Sequence, residues 1–93
     1  MASSTREAFS KISEWQRSNA VLKLTMLLGG EKPETLFVQI TGTDEEAFQV
    51  GFVERGKRSL RCLDVSDASF TVGERVLEVR RSDTDVLMFE MTA

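Results

Sequence analysis

The sequence predicts a fold of the α+β class that is mainly β: an N-terminal amphipathic helix followed by a strongly bent antiparallel meander of about five to seven strands. Apolar residues recur at helical spacing before residue 19, and beyond it short runs alternate between apolar and polar side chains. No stretch has the composition of an interdomain linker, so the 93 residues are expected to form a single domain. The helix is predicted at about residues 5–18 and the meander at about residues 20–92.

The first element is predicted as a helix over Thr5–Ser18 that ends near Asn19. Ser4 and Glu7 have the spacing of a capping box, in which the hydroxyl and the carboxylate each accept a backbone N–H. We expect the apolar side of the helix to cover one mouth or one face of the sheet. A helix on a membrane surface is disfavoured, because the polar side carries both charges rather than a polybasic face. The apolar side consists of Ala8, Phe9, Ile12 and Trp15.

The strands after the helix are predicted from period-two alternation, which is typical of strands that are buried on one face. Connections rich in structure breakers separate them at residues 29–33, 42–46, 73–74 and 82–85. One further strand, Val76–Arg81, has mixed polarity. The residues predicted to face the core are Leu22, Leu24, Met26 and Leu28, then Leu36, Val38 and Ile40, then Phe48, Val50 and Phe52, then Ala68, Phe70 and Val72, and finally Leu87, Phe89 and Met91.

The central feature of the meander is a predicted hairpin over Ala47–Val65, with its turn at residues 55–57. A two-residue loop would set Phe52 opposite Arg61, whereas a three-residue loop sets apolar residues opposite one another. We therefore expect the three-residue loop. The pairs that it predicts are Phe52 with Leu60, Val50 with Cys62, and Glu54 with Arg58.

Two features of this hairpin predict curvature. Gly51 lies inside a strand, where a glycine is typical of a sharp bend. On the return strand the apolar phase changes from Leu60 and Cys62 to Leu63 and Val65, which predicts a one-residue bulge. Because such bends roll a short sheet up, we predict a small, partly open barrel. A helix followed by a bent meander resembles the outline of SH3-like and Sm-like barrels, and this resemblance concerns architecture alone.

The residue types that are missing disfavour most enzyme chemistry. Histidine is absent, so the commonest general base and a common metal ligand are absent with it. Cys62 is the only thiol, and its phase with Leu60 predicts a buried core residue rather than a nucleophile. Phosphate-binding loops, dinucleotide fingerprints and zinc-finger spacings do not occur. We therefore expect a non-enzymatic protein without a cofactor or a metal.

Localisation is predicted from the same composition. A single cysteine cannot form an internal disulfide, which fits a reducing compartment. The first fifteen residues lack the apolar core of a signal peptide. The most apolar window, Ala20–Leu28, is too short to span a bilayer. The expectation is a cytoplasmic protein that does not enter a membrane.

Carboxylates form three clusters, which could hold a hard cation or supply an acid/base pair. Each cluster lies at a predicted turn, where aspartate commonly caps the backbone. Turn capping is the favoured interpretation, and a carboxylate-based enzyme is the least favoured function. The clusters are Asp44, Glu45 and Glu46, then Asp64 and Asp67, then Asp83 and Asp85.

A basic loop suggests an alternative function, binding of nucleic acid by a small barrel. Its cations could follow a phosphate backbone while aromatic residues stack on bases. The net charge of −3 and the use of most aromatic residues in the core favour a solvated hairpin tip instead. The loop residues are Arg55, Lys57, Arg58 and Arg61.

The favoured function is a binding or assembly module that self-associates, most simply as a homodimer, with a further protein partner as an additional expectation. One helix covers one face of a sheet, yet apolar residues also occur on the opposite face of several strands. Monomers rarely expose an apolar patch larger than a few hundred Å². On the last strand, Val86 and Met88 belong to this second face, so they are the predicted self-association residues.

Overall fold

The computed structural model describes residues 4–29, 32–57 and 60–92, and it shows one helix packed on one face of an antiparallel sheet. The strand order is β4-β3-β2-β1-β7-β6-β5, so the described strands form an open sheet with edges at β4 and β5. The predicted mainly β, α+β architecture is confirmed. The elements are α1 (Thr5–Arg17), β1 (Leu22–Leu27), β2 (Glu34–Asp44), β3 (Gln49–Glu54), β4 (Leu60–Asp64), β5 (Ser69–Val72), β6 (Val76–Arg80) and β7 (Val86–Met91).

Helix α1 has a capping residue at each end. The Glu7 N–H donates to Ser4 Oγ and the Ser4 N–H donates to Glu7 Oε1, both at 3.1 Å, which confirms the capping box. Ser18 is the C-cap, and Asn19 adopts a left-handed φ of 53° that ends the helix. The predicted apolar stripe is buried throughout, which confirms that α1 packs on the sheet.

The sheet curls around the helix. Helix α1 contacts both β2 and β5, which lie far apart in the strand order. Within the described residues, α1 does not pack closely against the three strands that lie between β2 and β5. The sheet therefore bends toward the helix on both sides, so the face toward α1 is concave and the opposite face is convex. We call the convex face the outer face. The core fills the concave side, and at its centre the rings of Phe52 and Phe89 meet edge to face at 6.3 Å.

The register of the central hairpin differs from the prediction. Phe52 lies opposite Arg61 and Val50 lies opposite Leu63, so the three-residue register is wrong by one residue. Cross-strand partners share a face, and the observed register buries Leu63 while Leu60 stays 62% exposed. Leu63 lies near the base of the hairpin above the core, whereas Leu60 lies near the tip, so burying Leu63 removes more apolar surface from water. The predicted partner of Glu54, Arg58, lies outside the described residues.

The predicted bulge exists, but on a different strand. Ile40 pairs with Phe52 and Gly42 pairs with Gly51, so Thr41 is an extra residue in β2 and not in β4. The Thr41 carbonyl, which lies at this irregularity, accepts a hydrogen bond from Gln16 Nε2 of the helix at 3.1 Å. A Cβ atom at Gly51 would lie 3.2 Å from Thr41 Oγ1. The close approach of the Thr41 side chain to the backbone at Gly51 explains the glycine.

Two residues predicted to face the core lie at the surface instead. Phe48 belongs to the turn between β2 and β3, where its φ of 53° turns the chain and exposes its ring. Leu28 follows the last residue of β1 and precedes Gly29, which has a left-handed φ of 62°. Alternation therefore overestimated the length of these strands, because it does not show where the backbone leaves the ladder.

The two leucines of β4 test the observed register directly. Leu63→Ala should lower the free energy of unfolding by about 2 kcal/mol, because it removes buried methyl groups and leaves a cavity. Leu60→Ala is the matched control and should change stability by less than about 0.5 kcal/mol, since Leu60 is exposed. Chemical denaturation measures both. Equal losses, or a larger loss for Leu60→Ala, would contradict the register.

Candidate interaction surface

An apolar groove lies on the outer face between β1, β7 and the β6–β7 turn. Cross-strand register sets Leu27 beside Val86 and Thr25 beside Met88, so these side chains form adjacent pairs on one face. The groove has a volume of about 360 Å³. We call it the outer groove. Its lining residues are Thr25, Leu27, Pro33, Arg80, Asp83, Val86, Met88 and Glu90.

Charges of both signs border the outer groove. Arg80 Nη2 lies 3.8 Å from Glu78 Oε1 on β6. Lys23 of β1 lies opposite Glu90 of β7 in the ladder. Within residues 4–29, 32–57 and 60–92, neither Lys23 nor Glu90 forms an ion pair. Lys23 and Glu90 thus place opposite charges side by side at the border of the apolar groove.

The predicted self-association residues are brought together with residues that sequence reasoning had not connected to them. Val86 and Met88 lie in the groove, as half-buried side chains of β7. Pro33 and Arg80 complete the groove, although neither was a candidate. The alternation of β7 alone could not identify them. Arg80 is brought to β7 by the β6–β7 pairing, and Pro33 is brought near it because β1 pairs with both β2 and β7.

A second feature of the outer face is an exposed phenyl ring between two cations. Phe37 of β2 is 48% exposed. Lys23 lies opposite Phe37 on β1, and on the other side the Arg55 N–H donates to the Phe37 carbonyl at 2.7 Å. The ladder thus continues to Arg55 and places it on the side of Phe37 away from Lys23. We call these three residues the Phe37 patch.

The four cations of the predicted basic loop do not form one surface in the described part of the chain. Arg55 joins the Phe37 patch, whereas Lys57 Nζ is paired with Glu54 Oε2 at 3.2 Å. Arg61 lies opposite Phe52, so it is on the other face of the sheet. Arg58 lies outside the described residues. The cation that sequence reasoning missed is Lys23, because its proximity to Phe37 follows from the β1–β2 register.

Cys62 is exposed on the outer face, so the predicted core thiol is wrong. It lies opposite Gly51, which is one residue removed from the core-facing Val50. The error follows from the hairpin register, because a slip of one residue exchanges the two faces of a strand. Leu60 is two residues from Cys62 and therefore lies on the same face of β4, so it is exposed for the same reason.

The exposure of Cys62 predicts its reactivity. A soluble thiol reagent should label native Cys62 within about tenfold of its rate in denaturant, since access does not limit the reaction. The measurement is labelling by a chromogenic disulfide reagent with and without guanidinium. Labelling that begins only on unfolding would show that β4 is turned over and Cys62 is buried.

One carboxylate of each cluster accepts a backbone N–H, and two of these three contacts lie within the aspartate's own turn. Asp44 Oδ1 accepts the Ala47 N–H at 3.1 Å, and Asp85 Oδ1 accepts the Gly29 N–H at 2.9 Å, which ties the β6–β7 turn to the end of β1. The Asp44 contact agrees with turn capping, whereas the Asp85 contact joins two separate elements. No group of three or more metal-ligating side chains is close enough to share an ion in the part of the chain that the structure describes.

Asp64 shows the direction in which such a turn shifts a carboxyl group. Its Oδ1 accepts the Ser66 N–H at 2.9 Å. The Ser66 hydroxyl and the Ser66 N–H stabilise the carboxylate and lower the pKa of Asp64, and Arg81 adds a smaller effect of the same sign. A general acid near neutral pH needs a raised pKa, so the shift favours a structural role for Asp64.

Comparison of the chain with known protein families, curated proteins and solved structures finds no match. Among the described residues, no helix has both the length and the apolar character that crossing a membrane requires. The proposal for function is therefore based on the geometry of the outer face.

Proposed function

We propose that this protein is a non-enzymatic binding module that self-associates as a homodimer through the outer groove. The observation that carries the proposal is the outer groove itself, which presents Leu27, Val86 and Met88 on the face opposite the helix. Association would remove these side chains from water, which is the main favourable term in most protein association.

The border of the groove favours a second copy of this chain as the occupant. An isologous interface joins the same patch from two subunits, so it must be complementary to itself. Lys23 and Glu90 supply opposite charges beside the groove, and Glu78 and Arg80 do so again on β6. A surface that carries both signs can match itself, whereas a surface of one sign would repel its copy.

The shape of the sheet favours a weak dimer. Two convex faces touch along their crests, so the buried area falls at the small end of specific interfaces, under about 1,200 Å² in total. Interfaces of that size are commonly transient. We therefore expect a dissociation constant on the order of micromolar, equivalent to about −8 kcal/mol.

The molecular mass in solution tests the proposal. Light scattering over a dilution series should show a dimer that dissociates as the protein is diluted. Met88→Lys should shift the mass toward the monomer at every concentration, because it replaces an apolar side chain of the groove with a charged one that association would have to remove from water. Leu60→Lys is the matched control, since Leu60 is exposed on the same face but lies on the edge strand.

Two outcomes would contradict self-association through the groove. One is a monomeric mass for the unsubstituted protein throughout the series. The other is a dimer that Met88→Lys leaves unchanged while Leu60→Lys dissociates it, which would move the interface to β4. Thermal melting of both variants shows whether each is folded, so a loss of dimer can be separated from a loss of structure.

The second candidate function, binding of single-stranded nucleic acid, is favoured by the Phe37 patch. Its exposed ring lies between Lys23 and Arg55, the arrangement in which a base stacks on an aromatic ring and cations contact the adjacent phosphates. The acidic net charge of −3 makes this the weaker proposal.

Titration with a fluorescent single-stranded RNA at two salt concentrations tests the second function. Two phosphate contacts predict a slope of log K against log salt of about −1.4. Phe37→Ala should weaken binding by on the order of tenfold through lost stacking, whereas Lys57→Ala is a control, because Lys57 is already paired with Glu54. Absence of binding at the lower salt concentration would reject this function.

A cytoplasmic location remains part of the proposal. Cys62 is exposed, and an exposed single thiol stays reduced most readily where glutathione and thioredoxin are present. An oxidising compartment would favour disulfide-linked pairs through Cys62, away from the outer groove.

A further inference from the structure

We propose that the two-fold axis of this dimer runs parallel to the strands and between β1 and β7, so that Lys23 of each subunit meets the partner's Glu90. The inference rests on the proposed self-association and adds its geometry. The observation behind it is the β1–β7 register, which sets Lys23 opposite Glu90, Thr25 opposite Met88 and Leu27 opposite Val86.

The position of the axis follows from symmetry. A two-fold rotation about an axis in the interface, parallel to two neighbouring strands and midway between them, exchanges the two strands without changing the height of any residue. Each side chain then faces the copy of its own cross-strand neighbour. If the cross-strand partners on the two strands are complementary to each other, the surface that they form is therefore complementary to its own copy.

The outer residues of β1 and β7 meet this requirement at three successive levels. Lys23 would face the partner's Glu90, which pairs two charges that form no ion pair within the described subunit. Leu27 would face the partner's Val86, and Thr25 would face the partner's Met88. Symmetry makes each contact twice, so the interface has an apolar end, a mixed centre and a charged end.

The same operation covers the exposed ring of Phe37. One strand further from the axis, Phe37 of β2 stands at the level of Lys23, and Val76 of β6 stands at the level of Glu90. Exchange of the two sides places Phe37 against the partner's Val76. Phe37, the exposed aromatic residue of β2, would thus lie against an apolar residue that is itself half-buried.

Other positions of the axis produce unfavourable contacts. An axis along β1 would set Lys23 against its own copy, and an axis along β7 would do the same for Glu90. An axis across the strands at the level of Thr25 would set Lys23 against the partner's Leu27. Like charges in contact, or a charge against an apolar side chain, oppose association. In addition, β1 is the middle strand of the seven. The curvature of the sheet therefore places it on the crest of the outer face, which a second molecule meets first.

Charge reversal in two separate chains tests this geometry. Lys23→Glu alone brings the new carboxylate of each subunit against the partner's Glu90, and Glu90→Lys alone brings two lysines together. Each variant by itself should dimerise at least about tenfold more weakly than the unsubstituted protein. An equimolar mixture of the two variants should form heterodimers of normal affinity, because both contacts are then between opposite charges.

A doubly substituted chain provides a more stringent test of the axis. The Lys23→Glu, Glu90→Lys protein should dimerise with itself but not with the unsubstituted protein, since that mixed pair joins glutamate to glutamate and lysine to lysine. Native mass spectrometry of the mixed samples, with one chain carrying an isotope label, counts homodimers and heterodimers separately. Glu45→Lys, on the β2–β3 turn away from β1 and β7, is the control for a change in net charge.

The outcomes separate the geometry from the function on which it rests. If the unsubstituted protein is monomeric, the proposed function and this geometry are both wrong. If it dimerises and Met88→Lys dissociates it, but the mixture of variants does not restore the dimer, the groove is retained and this axis is rejected.

Neutral variants keep the geometry testable should a charge reversal prevent folding. Lys23→Gln and Glu90→Gln each remove both charge pairs from their own homodimer, so each should weaken it. Their heterodimer regains one of the two pairs, so the mixture should recover part of the lost affinity. A heterodimer no tighter than either homodimer would reject this axis.

Discussion

The pairing of β1 with β7 is the constraint on which the rest of the structure depends. It joins the beginning and the end of the strand-forming part of the chain, so closing it costs more chain entropy than any hairpin in the sheet. Burial of Leu24 beside Phe89 on the concave face offsets that cost. The same ladder also sets the outer residues of both strands side by side. The β1–β7 pairing therefore determines part of the core on one face of the sheet and the outer groove on the other.

The helix makes these two faces unequal. Its apolar stripe is fully used on the concave face, where it contacts β2 and β5 and draws the sheet into a curve. The carbonyl at the β2 bulge accepts a side-chain hydrogen bond from Gln16, so the curvature and the position of the helix support each other. The described part of the chain has no second helix to cover the outer face. Its apolar residues there, Val86 and Met88, are the basis of the self-association that we propose.

Several carboxylates outside the outer face have structural roles. Asp44 and Asp85 accept backbone N–H groups, and the hydrogen bonds from Ser66 lower the pKa of Asp64. The edge strands are short, which limits their use as templates for pairing. The outer groove and the Phe37 patch adjoin each other, because Lys23 borders both. A dimer formed as proposed would cover Phe37, so self-association and nucleic-acid binding would compete for one surface.

By itself, the sequence determined the local structure: the capping box, the buried stripe of α1, the succession of strands, and the placement of Val86 and Met88 on the second face. These follow from spacing along the chain, which the sequence displays directly. Only the tertiary structure decided the hairpin register, the exposure of Cys62 and the neighbours of Phe37. Alternation repeats every two residues, so it cannot distinguish registers that differ in which distant residues become partners. That choice is made by the core as a whole, which gains more from burying Leu63 than Leu60.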